Sequence, residues 1–109
     1  MVLATIRMII PPQKRDEALK ILRSTAEQCK IHSGCLSSHI YDDVQEHNVL
    51  MFEEMWRTEE DLAQHLRSEE YRDVLLVMEM ALKHPEVSFN TVSTSTGIET
   101  VEKARNFTR

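Results

Sequence analysis

Apolar residues along this chain alternate, then recur at helical spacing, then alternate again. Over residues 2–10, Val2, Ala4, Ile6, Met8 and Ile10 oppose Leu3, Thr5, Arg7 and Ile9. That pattern predicts a strand with one apolar face and one mixed face. Pro11 and Pro12 end it, because proline has no N–H for the ladder, yet the ring suits a helix's first turn. A helix is therefore expected from about Gln13, with Ala18, Leu22, Ala26 and Cys29 as its buried stripe, Leu19 and Ile21 beside them, and Gly34 as its stop signal. Residues 35–41 alternate again, setting Cys35, Ser37, His39 and Tyr41 against Leu36, Ser38 and Ile40. The polar stretch 42–48 turns the chain into residues 49–56. There Leu50, Phe52, Glu54 and Trp56 face one way while Val49, Met51, Glu53 and Met55 face the other. Both faces of that strand are largely apolar, which predicts cover on both sides.

A helix start follows within two residues. The Thr58 hydroxyl can accept a free backbone N–H, and Glu59, Glu60 and Asp61 oppose the positive end of the new helix. Leu62, His65 and Leu66 then fall at i, i+3 and i+4, which puts His65 on the inward face beside the end of the strand that carries Trp56. Ser68 reads as a second cap. Tyr71, Val74, Leu75, Met78, Ala81 and Leu82 continue an apolar stripe, Lys83 and His84 suit a helix's negative end, and Pro85 stops it before a last strand at 87–92.

The order strand, helix, strand, strand, helix, strand predicts an α+β fold of the ferredoxin-like β-α-β-β-α-β kind, with helices on one face of a four-stranded antiparallel sheet. The bare face needs a cover. Two such sheets packed face to face would make a homodimer, a dimeric α/β barrel, and would explain the doubly apolar central strand. Residues 1–93 are expected to form the domain, and 94–109 a C-terminal extension that is a frayed tail or an arm over the partner subunit.

Composition narrows the function classes. A single domain of 109 residues buries only about 60 to 70% of its unfolded surface, so dimerisation would add appreciably to stability. Thirteen basic residues against eighteen acidic, without a Lys/Arg block, give no footprint for nucleic acid. No apolar run approaches the roughly 18 residues of a membrane span, and the N-terminus lacks the basic start and cleavage site of a signal peptide. The expectation is a soluble, cytoplasmic protein with no membrane partner. Cys29 and Cys35 agree with it as free thiols, since they form neither a C-x-x-C motif nor a disulfide framework. The five histidines show no H-E-x-x-H or other metal spacing. With only Gly34 and Gly97 there is no glycine-rich phosphate loop, and no G-x-S-x-G nucleophile motif occurs. No metal and no cofactor are expected.

Each candidate residue has a functional and a structural reading. Trp56 can stack a planar ligand or fill core. His65 suits proton exchange at neutral pH, or a structural bond to a carbonyl. Glu54, on the strand face of Trp56, should pair with Arg7 or His65, because an unpaired buried charge is costly. Phe52 and Tyr71 are candidate pocket walls and simple core. His39 and Tyr41 can line a pocket or the dimer interface.

The run Glu54-x-Trp56, capping Thr58 and inward His65, followed by Ser68 and Tyr71, resembles the antibiotic biosynthesis monooxygenase family of small dimeric ferredoxin-like proteins. The resemblance implies oxygenation of a small hydroxyaromatic or quinol by molecular oxygen without metal, flavin or haem, in a pocket between sheet and helices. In that reading His65 is catalytic, and Trp56, Phe52, Tyr71 and Glu54 hold the substrate. The chemistry is coherent: triplet dioxygen reacts poorly with closed-shell molecules, but a deprotonated hydroxyaromatic can give it one electron and recombine. The protein's tasks are then to hold a ring, take a phenolic proton and exclude water. Haem-degrading relatives carry an Asn on the first strand and a Trp where His65 stands, which sets this chain apart from them. An isomerase using the same base, and a non-enzymatic ligand-binding dimer, are the alternatives. A cavity of at least roughly 300 Å³ beside Trp56 and His65 would favour an enzyme, and a packed interior the binding dimer.

Overall fold

In the computed structural model, which describes residues 1–106, four strands form one antiparallel sheet in the order β2-β3-β1-β4. They are β1 (Val2–Ile9), β2 (Cys35–Asp42), β3 (Val49–Trp56) and β4 (Glu86–Thr91). Helices α1 (Arg15–Cys29), α2 (Glu59–Arg67) and α3 (Tyr71–Met80) lie between them in the sequence, and α4 (Ile98–Ala104) follows β4. This is the ferredoxin-like α+β arrangement. The alternation in β1 is realised residue by residue: Val2, Ala4, Ile6 and Met8 are buried, and the residues between them are half-buried. Their partners in register, Trp56, Glu54, Phe52 and Leu50, bury the same face of β3 against the helices.

Several boundaries differ from the sequence expectation. Pro12–Lys14 make a 3-10 turn, so α1 proper begins at Arg15. The helix ends at Cys29, not at Gly34, because Lys30 N already donates to Glu27 O in a closing turn. Thr25 is buried in the stripe where Ala26 was expected; its hydroxyl donates to Ile21 O at 3.2 Å, which satisfies it there. In α3 the inward residues are Tyr71, Val74 and Val77, while Leu75 is 47% exposed and Leu82 65% exposed. The helix also stops earlier than Pro85: Ala81 is already extended, and Leu82 N donates to Ile9 O at 2.9 Å. The chain thus leaves the helix by attaching to the end of β1.

Ser68 divides α2 from α3. Its hydroxyl donates to His65 O at 2.7 Å and accepts from Tyr71 N at 3.3 Å, so one side chain closes the first helix and opens the second. The interior has a large cluster around Met8, Leu22, Leu50, Phe52 and Val74 and a smaller one of Val2, Ala4, Trp56 and Leu62. On the other face of the sheet, Leu3, Thr5, Met51, Glu53 and Met55 stay half-buried. No described helix is long and apolar enough to cross a membrane. In α4, beyond the sheet, Ile98 and Val101 are exposed.

Candidate active site

The smaller cluster surrounds a polar constellation. Trp56 is the last residue of β3, and Thr58 caps α2 two residues later: Asp61 N donates to Thr58 Oγ1 at 3.1 Å, and that hydroxyl donates to Asp61 Oδ2 at 2.9 Å. From this fixed start, about two turns of helix carry His65 back over the sheet. Its imidazole stacks on the Trp56 indole, with centroids 4.6 Å apart and planes at 29°. His65 Nε2 lies 3.2 Å from Glu54 Oε1, and the two side chains are 3% and 6% exposed. Glu54 therefore pairs with His65 and not with Arg7. Register explains the choice: Arg7 opposes Met51 on the open face, where its guanidinium meets Glu46 at 3.0 Å.

The pair is close but incompletely satisfied. Although Nε2 and Oε1 are at ion-pair distance, the ring is not aligned for a hydrogen bond, and both imidazole nitrogens lack a hydrogen-bond partner. So do Glu54 Oε2, Trp56 Nε1 and the hydroxyl of Ser38, whose strand position is directly opposite Glu54. Buried polar atoms are normally bonded, so this concentration around one spot is unusual. Tyr71 meets His65 edge-on, with centroids 5.2 Å apart at 81°. Burial, helped by the charge of Glu54, pushes its phenol up to about 12, so it keeps its proton at neutral pH.

The structure thus brings together four of the five residues singled out from sequence: His65, Glu54, Trp56 and Tyr71. Phe52 packs in the larger cluster, as Tyr71 also does, but has no ring contact with His65; of the five, only Trp56 and His65 line the recess itself. His39 and Tyr41 lie on the open face with Glu53 and Met51, their rings 6.1 Å apart. The recess itself has a volume of about 100 Å³ and is lined by His32, Gly34, Trp56, Gln64, His65 and Ser68 among others. It falls short of the roughly 300 Å³ of sites that enclose a small organic ligand. A larger groove of about 650 Å³ at the end of α3, by Met78, Leu82 and His84, contains none of the five residues.

His32 is the residue that sequence reasoning missed. Its ring lies 6.2 Å from Trp56 and 6.3 Å from His65, on the turn between α1 and β2. No periodicity marks a turn residue, which is why only the structure finds it. The same turn corrects the reading of the cysteines as free thiols: Cys29 and Cys35 form a disulfide. The reason is a β-bulge. Cys35 pairs with Trp56 but Ser37 with Met55, so Leu36 is an extra residue and Cys35 turns to the helix side instead of sharing the face of Ser37, His39 and Tyr41. The thiol argument for a cytoplasmic location thereby falls away. Gly34 is needed for close approach, since a Cβ there would fall on the Asp61 side chain, while its carbonyl accepts from Arg57 N at 2.8 Å. Among the described residues, no three His, Cys, Asp or Glu side chains gather as metal ligands.

The pattern of a family described as "Antibiotic biosynthesis monooxygenase" matches residues 1–75. The uncharacterized protein sll1783 of Synechocystis sp. is 29% identical over 59 residues; the match spans 54% of this chain and 40% of that protein's length. Among solved structures, Rv0793 of Mycobacterium tuberculosis superposes with a TM-score of 0.78 at 20% identity, covering 88% of this chain and 98% of its own. A conserved protein from Methanosarcina mazei Go1 gives 0.75 at 23% identity, over 82% of this chain and 89% of its own. A crystal structure described as an antibiotic biosynthesis monooxygenase gives 0.75 at 21% identity, over 86% and 100%. At these identities the structures share the fold.

Proposed function

The chain belongs to the antibiotic biosynthesis monooxygenase family, and from that premise we propose that it is a cofactor-independent monooxygenase acting on a small hydroxyaromatic or quinol with molecular oxygen. His65 takes the phenolic proton. Glu54, at 3.2 Å, balances the imidazolium that forms. The aryloxide left behind is the species electron-rich enough to reduce dioxygen. Trp56 fixes the plane of the imidazole by stacking under it, and Tyr71, which holds its proton, serves as wall and donor but not as base. The working unit is a homodimer in which a second sheet covers Leu3, Met51 and Met55.

One observation carries this reading: a buried His–Glu pair, stacked on the chain's sole indole, keeps unbonded nitrogen and oxygen atoms beside a recess. A purely structural pair would be expected to have its hydrogen bonds complete. The volume of the recess favours a second reading, a non-enzymatic binding dimer in which these residues are structural.

Oxygen uptake with a panel of quinols and hydroxynaphthalenes distinguishes the two. With the Cys29–Cys35 bond reduced, wild-type uptake that depends on the aromatic is expected. His65→Ala should lower kcat by roughly 10²-fold while changing KM less, as for a group acting on proton transfer. A variant that keeps the wild-type rate would make His65 structural, and a wild type that binds ligands without consuming oxygen would establish the second reading. Turnover without oxygen consumption would point to an isomerase.

A further inference from the structure

We propose that His32 is the entrance residue of this site and that the Cys29–Cys35 disulfide is the latch holding it in place. The inference deepens the proposed function and rests on it only for the class of ligand, a single hydroxyaromatic ring. With the disulfide formed, the space left beside Trp56 and His65 is about 100 Å³. That is enough for about three waters or for dioxygen, but a cavity of roughly 150 Å³ is what accommodates a benzene ring. His32 lines this space as a half-buried side chain, while His65 is buried.

The latch is local. The disulfide holds the Cα atoms of Cys29 and Cys35 at 5.2 Å across a sequence separation of six. Other ties on the turn are unequal: Gly34 accepts a hydrogen bond from Arg57, just past the end of β3, whereas the backbone of residues 30–32 is held only by turn bonds to Glu27, Gln28 and Cys29 and by the bond from Cys35 N to His32 O. Opening therefore moves residues 30–33 and leaves Gly34 anchored.

The disulfide is also reachable. A surface groove of about 600 Å³ is lined by both cysteines together with Lys30, Ser33 and Ser37. A dithiol reductant attacks one sulfur, passes through a mixed disulfide and leaves as its own cyclic disulfide. Two electrons and two protons reach the cysteine pair, which becomes two thiols. Reduced, the turn lets His32 swing away and a ring enter; oxidised, it admits only dioxygen and water.

Trp56 is the only tryptophan, so its fluorescence reports on the recess without any need for catalysis. Acrylamide quenching is measured on the wild type before and after dithiothreitol, with thiols counted by a chromogenic disulfide reagent and the fold followed by far-ultraviolet circular dichroism. Reduction should raise the quenching constant severalfold with the fold retained. Cys29→Ser/Cys35→Ser should show the raised value without reductant, and His32→Ala should show it with the disulfide intact. Reduced wild type with two titratable thiols and unchanged quenching would overturn the latch, and so would loss of the fold on reduction, which would make the bond a structural staple. Unchanged quenching in folded His32→Ala would overturn the entrance role. Because none of these readings needs turnover, an inactive enzyme with a working latch is distinguishable from an active one without it.

Discussion

Tyr71 makes the interior of the candidate site testable by pH alone. Its phenol ionises near 10 in an unfolded chain, but is pushed up to about 12 in the folded protein by burial and by Glu54. Between these values the unfolded state releases a proton that the folded state keeps. With fewer protons bound in the unfolded state, stability must fall as pH rises. The contribution is intact below pH 10 and is lost as pH climbs through the folded value. At pH 11 about nine-tenths of unfolded chains but only about one-tenth of folded ones would carry the phenolate, a loss of about 1.4 kcal/mol, approaching about 2.7 kcal/mol above pH 12. Tyr71→Phe keeps the ring set edge-on against His65 but has no proton to lose. Urea unfolding followed by circular dichroism at pH 8 and pH 11, on wild type and variant, isolates this group, since lysines and the other tyrosine cancel in the comparison. The wild type should lose about 1.4 kcal/mol more than the variant over that interval. Equal losses would mean that Tyr71 is not shielded from water, and that the site is more open than described.

Two further outcomes rest on single contacts and a third on the open sheet face. Gly34→Ala would press a methyl group on the Asp61 side chain and should cost about 1–3 kcal/mol in urea unfolding, with partial recovery in Gly34→Ala/Asp61→Ala; an additive pair would show that the contact is not the cause. Thr58→Ala removes the cap that Asp61 N bonds to and should lower stability by about 1 kcal/mol in the same assay. Met51→Lys and Met55→Lys place a charge on the open sheet face and should dissociate or unfold the proposed homodimer in analytical ultracentrifugation. A wild-type monomer at micromolar concentration, or a variant that stays a stable dimer, would show that this face is not the interface.

The sequence made the fold readable because the two periodicities were clean. Alternation in β1 and β3 and the Thr58 cap set the strand-to-helix hinge within a residue or two, and from that hinge the meeting of Trp56 with His65 follows by geometry. Glu54 was readable as far as needing a partner; register, which two candidate cations cannot decide by composition, chose His65. What stayed hidden was everything that depends on departures from period. The outward turn of Leu75 and Leu82, the early end of α3 at Met80 and the placing of Phe52 in the larger cluster all reflect packing choices among residues of equal hydrophobicity. His32 sits on a turn, where no periodicity speaks.

The bulge at Leu36 has a consequence for how this turn can vary. Side chains on a strand take sides by parity, so in a regular ladder Cys35 would share the open face of Ser37, and only the bulge turns it to the helix side. Deleting Leu36 alone would make Cys35 the direct neighbour of Ser37 and leave it opposite Trp56 on the helix side, so the bond should survive the loss of the bulge. The covalent tie therefore depends on Cys35 staying opposite Trp56: a chain of this fold loses it by flattening the bulge with Leu36 in place, and keeps it when the extra residue is removed.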